Sequence, residues 1–183
     1  MQVRALGLPG VLLIEHKVFE DARGFFFESW NERAFAAAGI HASFVQENVS
    51  ESRAYVLRGL HYQVSPHAQG KLLRVLSGGI FDVVVDLRRS SPSFGRSLSI
   101  SLDAAGGRSL WVPAGFAHGF LAVEPATRMQ YLVTDFWSPA HERSLAWNDP
   151  RLGIEWPLPP GVSPRLTDKD AAAPPLGQVE TFP

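Results

Sequence analysis

The 183-residue sequence contains no cysteine. That excludes disulfides and thiolate chemistry, and it leaves histidine and carboxylate side chains as the plausible metal ligands. No apolar run approaches the roughly 20 residues of a membrane span. The opening residues, Met1-Gln2-Val3-Arg4-Ala5, lead into Pro9 and Gly10 without a signal-type apolar stretch. These absences point to a soluble, cytoplasmic protein with no membrane partner. Charge of one sign is missing too. Seventeen Lys and Arg meet 18 Asp and Glu, a net charge of −1, which gives no support to a nucleic-acid partner. There is no Gly-x-Gly-x-x-Gly fingerprint for a dinucleotide. Helix signals are scarce as well. Asn31 makes a good N-cap for residues 32–38, with Gly39 closing the turn, and no other stretch reads convincingly as a helix.

What is present is an ordinary globular composition, 45% hydrophobic and 19% charged, long enough for one domain over residues 1–183. Short strand signals alternate with turns. Residues 11–19 read as a strand, Asp21-Ala22-Arg23-Gly24 as a turn, and residues 25–30 as a second, aromatic-rich strand. Residues 71–76 and 80–87 flank Gly78-Gly79 and read as a hairpin. In the second arm Phe81, Val83, Val85 and Leu87 share one face, and Asp82, Val84 and Asp86 the other. Further strands are expected at 97–102, 109–112, 120–123 and 129–136. The pattern is all-β, an antiparallel sandwich or barrel that reads best as a jelly roll with a few short helices.

Two stretches carry candidate chemistry. Arg58-Gly59-Leu60-His61 places a cation and a histidine around a glycine between two strands, and Lys71 follows as the next apolar run begins. His61, with an unperturbed pKa of about 6.5, is a competent base at neutral pH. The second stretch, Pro113-Ala114-Gly115-Phe116-Ala117-His118, resembles the second conserved motif of cupins. Metal-binding cupins pair it with a His-x-His motif and a later Glu. Here His61-Tyr62-Gln63 has no second histidine, and no glutamate lies between His61 and His118. The reading is a cupin-like fold that keeps the pocket with no metal. Such a pocket, holding His, Lys, Tyr and carboxylates, suits proton transfer beside a carbonyl, where a cation stabilises the developing enolate.

The resemblance extends further. Asp21-Ala22-Arg23-Gly24-Phe25-Phe26-Phe27-Glu28-Ser29, Phe44-Val45-Gln46-Glu47-Asn48, Val56-Leu57-Arg58-Gly59-Leu60-His61 and Gln69-Gly70-Lys71-Leu72 appear in order. Phe81-Asp82-Val83, Ser91-Pro92-Ser93-Phe94-Gly95, Pro113 to Phe120, Trp147-Asn148-Asp149-Pro150 and Leu166-Thr167-Asp168-Lys169-Asp170 complete the set. In these nine segments the chain resembles the dTDP-4-dehydrorhamnose 3,5-epimerase family. The resemblance implies a dTDP-sugar as substrate, no cofactor, and a homodimer.

It also implies roles. His61 would remove protons at C3 and C5 of a 4-keto sugar, with Asp170 as its carboxylate partner; Asp168, two residues away, is the alternative. Tyr131 would be the acid on the opposite face, although a tyrosine in Met129-Gln130-Tyr131-Leu132-Val133 also reads as strand packing. Lys71 and His118 would steady the charge at O4, with Asp82 partnering His118. Arg58 and Arg23 suit the diphosphate, and Trp137 the thymine, where the family usually carries tyrosine. Glu28, Gln46, Glu47, Asn48, Glu142 and Lys169 match further substrate-contacting positions, with Arg23 and Glu28 acting across the dimer interface. The alternatives are inversion at C3 or C5 alone, a metal-dependent cupin oxygenase, and a non-catalytic nucleotide-sugar binder.

Overall fold

A computed structural model describes all residues, 1–183. Its thirteen strands are β1 (Gln2–Ala5), β2 (Leu12–Glu15), β3 (Phe19–Asp21), β4 (Gly24–Phe26), β5 (Gln46–Ser52), β6 (Leu57–Gln63) and β7 (Lys71–Ser77), then β8 (Gly79–Asp86), β9 (Ser97–Asp103), β10 (Arg108–Val112), β11 (Phe116–Ala122), β12 (Thr127–Val133) and β13 (Glu142–Ser144). One sheet has the order β1-β2-β10-β7-β12-β5, and the second β13-β6-β11-β8-β9. All neighbours in both sheets are antiparallel. The jelly-roll-like sandwich is the expected one.

Alternation decides what lies between the sheets. Leu73 and Val75 of β7, Met129 of β12, Ile80 and Val84 of β8, and Phe116 and Phe120 of β11 fill the interior. The outer faces are covered as well. Leu60, Tyr62, Val83, Val85 and Ala117 lie under the C-terminal segment, packed by Ile154, Trp156, Leu176 and Phe182. A helix, α1 (Glu32–Ala37), covers Ile14 and Leu72 of the first sheet with Phe35. Its cap is the expected one: Asn31 Oδ1 accepts from the Ala34 backbone N–H at 3.1 Å.

Three expectations need correction. Residues 71–87 are not a hairpin, because β7 pairs with β10 and β12 while β8 pairs with β9 and β11. The glycines carry the chain from one sheet to the other. A Cβ on Gly78 would lie 2.4 Å from Thr127 Oγ1, so this crossing is packed tightly against β12. The aromatic strand at 25–30 is only three residues long as β4. Beyond it Phe27 turns to stack on His16, and Trp30 packs on Phe35 and Phe44. A second helix, α2 (Asp168–Ala171), was not anticipated. Thr167 caps it, its side chain accepting from the Asp170 N–H.

Candidate active site

The open end of the sandwich holds two adjoining cavities, of about 380 and 320 Å³, that share His61, Lys71 and Tyr131 in their walls. Inward-facing positions of both sheets supply the lining. Gln46 and Asn48 come from β5, Tyr131 from β12, Lys71 from β7, His61 from β6, His118 from β11 and Glu142 from β13.

A bulge aligns two of these groups. Arg58 opposes Phe120 and His61 opposes His118, so β6 advances three residues while β11 advances two. In a regular strand residues three apart point to opposite faces. The extra residue turns Arg58 and His61 toward the same cavity. Glycines permit it. Gly59 has φ +125°, and a Cβ there would lie 2.6 Å from Gly119 Cα; a Cβ on Gly119 would lie 2.6 Å from the Arg58 carbonyl oxygen.

His61 Nε2 donates to Asp170 Oδ1 at 2.5 Å, which leaves Nδ1 as the basic nitrogen of the neutral ring. The His61 side chain is 30% exposed and that of Asp170 3%. Helix α2 therefore resolves the choice between neighbours: Asp170 points inward, whereas Asp168 is exposed. Burial pushes the Asp170 carboxyl upward, but hydrogen bonds from His61, Thr167 and the Gly59 N–H, with the His61 charge, hold it below the ordinary carboxylate value.

Across the same space His118 Nε2 donates to Asp82 Oδ2 at 2.8 Å, with both side chains buried. The Lys71 ammonium donates to the His61 carbonyl at 3.2 Å. Burial lowers Lys71 to about 8, and the Glu142 and Asp82 charges limit the fall. Burial raises Tyr131 above its ordinary value, aided by Glu142 and opposed by Arg58, so its phenol carries a proton at neutral pH.

The mouth is polar. Arg58 donates to Ser52 Oγ at 3.0 Å and to the Glu51 carbonyl at 3.1 Å. Lys169 and Glu142 pair at 2.5 Å, linking α2 to β13. Trp137 is 58% exposed, its backbone N–H donating to Gln46 Oε1 at 3.0 Å. No group of three or more His, Asp or Glu side chains is placed to hold a metal ion.

Three residues with expected substrate contacts stay outside these cavities. Glu47 is the first of them. It lies between Gln46 and Asn48 in β5, so the period of two turns it to the outer face, where it pairs with Gln130 beside Trp30 and Arg74. Arg23 sits on the exposed β3–β4 turn, bound to Asp21 at 2.6 Å, and Glu28 is exposed beyond it. Conversely, Gln63 and Gln69 line the larger cavity and were not anticipated. Alternation from His61 is the signal that would have found Gln63.

The family model described as dTDP-4-dehydrorhamnose 3,5-epimerase matches residues 5–178. The chain belongs to this family. A dTDP-4-dehydrorhamnose 3,5-epimerase from Pseudomonas aeruginosa is 50% identical over 100% of both chains. The crystal structure of dTDP-6-deoxy-D-glucose-3,5-epimerase from Legionella pneumophila, in complex with dTDP-4-keto-L-rhamnose, superposes with a TM-score of 0.93. It shares 42% identity, covering 98% of this chain and 94% of that one. The 3'-monoepimerase ChmJ from Streptomyces bikiniensis, in complex with dTDP-quinovose, gives a TM-score of 0.88 at 35% identity, over 94% of this chain and 86% of that one. No helix of the chain is long and apolar enough to cross a membrane.

Proposed function

We propose that the chain, acting as one domain over residues 1–183, inverts C3 and C5 of dTDP-4-dehydro-6-deoxy-D-glucose to give dTDP-4-dehydro-L-rhamnose. The observation that carries this reading is the His61–Asp170 pair sharing one space with Lys71 and Tyr131. The C4 ketone already acidifies both neighbouring C–H bonds, so the reaction calls for a base, an acid and a stabilised enolate, and for no redox cofactor.

His61 Nδ1 takes the proton, and Asp170 supports the imidazolium that forms. The electron pair moves onto O4, which the Lys71 ammonium and His118 in the cavity wall would face. Tyr131 returns a proton from the opposite face, and water restores both groups to their starting states. Partial exposure of His61 leaves that exchange open. Arg58 and Lys169 at the mouth suit the diphosphate, and the exposed face of Trp137 suits the base.

The same reading includes a homodimer acting in the cytoplasm. Phe25 and Phe26 project from the β3–β4 hairpin at 66% and 69% exposure, and β5 is a free sheet edge. A second subunit on these surfaces would bring Arg23 and Glu28 toward a site. Likeness to the Streptomyces bikiniensis monoepimerase keeps inversion at one carbon as the second reading.

The test is incubation with dTDP-4-dehydro-6-deoxy-D-glucose in D₂O, followed by reduction, proton NMR and mass analysis. Deuterium at C3 and C5 with an L-rhamno product is expected. Deuterium and inversion at one carbon would replace the reading by a monoepimerase, and no exchange would overturn it.

Lys71 adds a pH dependence. Its ammonium steadies O4 only while protonated, so kcat is expected to fall as pH rises through about 8. Folding moves the other way. Between about 8 and the unfolded value of 10.5 the unfolded chain binds the extra proton, so the Lys71 contribution to stability rises with pH. A pH–rate profile should show this alkaline limb in the wild type, and Lys71→Arg should shift it upward. An unchanged limb in that variant would remove Lys71 from the charge-stabilising role.

A further inference from the structure

The loop that presents Trp137, residues 135–138, follows β12 and has no strand partner of its own. Three glutamines from elsewhere bind its backbone instead. Gln69 Nε2 donates to the Asp135 carbonyl at 2.7 Å. Gln46 Oε1 accepts from the Trp137 N–H at 3.0 Å. Gln63 does most. Its Nε2 donates to the Phe136 carbonyl at 3.1 Å and to the His67 carbonyl at 2.7 Å, while its Oε1 accepts from the Ser138 N–H at 2.7 Å. One carboxamide thus grips the chain on both sides of Trp137, and Gln63 itself is only 3% exposed.

The indole has no comparable support, being 58% exposed. Its position is set by the backbone beneath it. A flat, exposed aromatic recognises a nucleobase well only if its plane is fixed before binding, because ordering it on binding costs affinity. We infer that Gln63 is a positioning residue for nucleotide recognition, holding Trp137 in the plane that receives the base. The inference rests on the reading of Trp137 as the base-stacking residue. It adds that affinity for the nucleotide half is controlled from β6, two residues from the proposed base His61 and on the same face of the strand.

Gln63→Met keeps the length of the side chain and removes all three hydrogen bonds. Binding of dTDP by calorimetry and steady-state kinetics on the nucleotide-sugar would be measured for Gln63→Met, Trp137→Ala and the double variant. Trp137→Ala should weaken dTDP by about 10-fold or more, as for loss of one aromatic–base stack. Gln63→Met should raise Kd and KM by a comparable factor with kcat within about threefold, and the double variant should bind no worse than Trp137→Ala alone, since residues acting through one another are not additive. A structural role would instead lower kcat and leave the two losses additive.

If Trp137→Ala leaves dTDP affinity unchanged, the stacking reading falls and takes the inference with it. If Trp137→Ala weakens dTDP and Gln63→Met does not, only the inference falls. Should Gln63→Met fail to fold, Gln63→Glu, which keeps the acceptor for the Ser138 N–H and loses both donations, serves in its place. A smaller rise in Kd that vanishes in the Trp137→Ala background is expected, and an additive loss or no loss overturns the inference.

Discussion

His61→Asn is expected to lower kcat by about 10²–10⁴-fold, the range for losing a positioned general base, while dTDP binds almost as well as before. Asparagine is neutral and polar but has no basic nitrogen, so it cannot take a proton from carbon. The groups proposed to meet the nucleotide, Trp137 and Arg58, make no hydrogen bond to the His61 side chain. The decisive readout is deuterium incorporation from D₂O at C3 and C5, which reports deprotonation even where no net inversion follows. Wild-type exchange in this variant would remove His61 as the base and move attention to His118, the other histidine facing the cavity.

The second large effect concerns the bulge. Gly59→Ala is expected to cost about 2–5 kcal/mol of folding stability, combining an overpacked contact with a backbone that disfavours side chains. The new Cβ would lie 2.6 Å from Gly119 Cα and 3.0 Å from the His118 carbonyl oxygen, both backbone atoms that cannot swing aside. A fall in Tm of roughly 5–15 °C follows for a domain of this size, and the surviving folded fraction should be nearly inactive because Arg58 and His61 lose their common face. Gly161→Ala is the control. Gly161 also has positive φ, at +77°, but a Cβ there meets nothing within 4 Å, so it should cost only about 1 kcal/mol. Equal melting shifts in the two variants would refute the account of β6 and β11 closing through paired glycines.

Strand alternation made much of this legible in the sequence. Asp82 is separated from Phe81 and Val83 by period alone, and the structure buries it against His118. The same rule, applied to β5, turns Glu47 to the outer face. A matching segment carries both faces of a strand, so Glu47 enters with Gln46 and Asn48 without sharing their cavity. Other features have no local signal. Gly78-Gly79 has the composition of a hairpin turn, and the crossing to the other sheet is fixed by strand partners distant in sequence, β10 and β12 for β7 and β9 and β11 for β8. Helix α2 is four residues long, too short for a helical period to register. The bulge at Gly59 is likewise set by a partner strand some sixty positions away in sequence.

One consequence lies in time rather than space. The two members of the His61–Asp170 pair are separated by 109 positions in the chain. On a ribosome, β6 and most of both sheets emerge well before α2 does. The carboxylate proposed to support His61 is therefore among the last groups of the chain to be made.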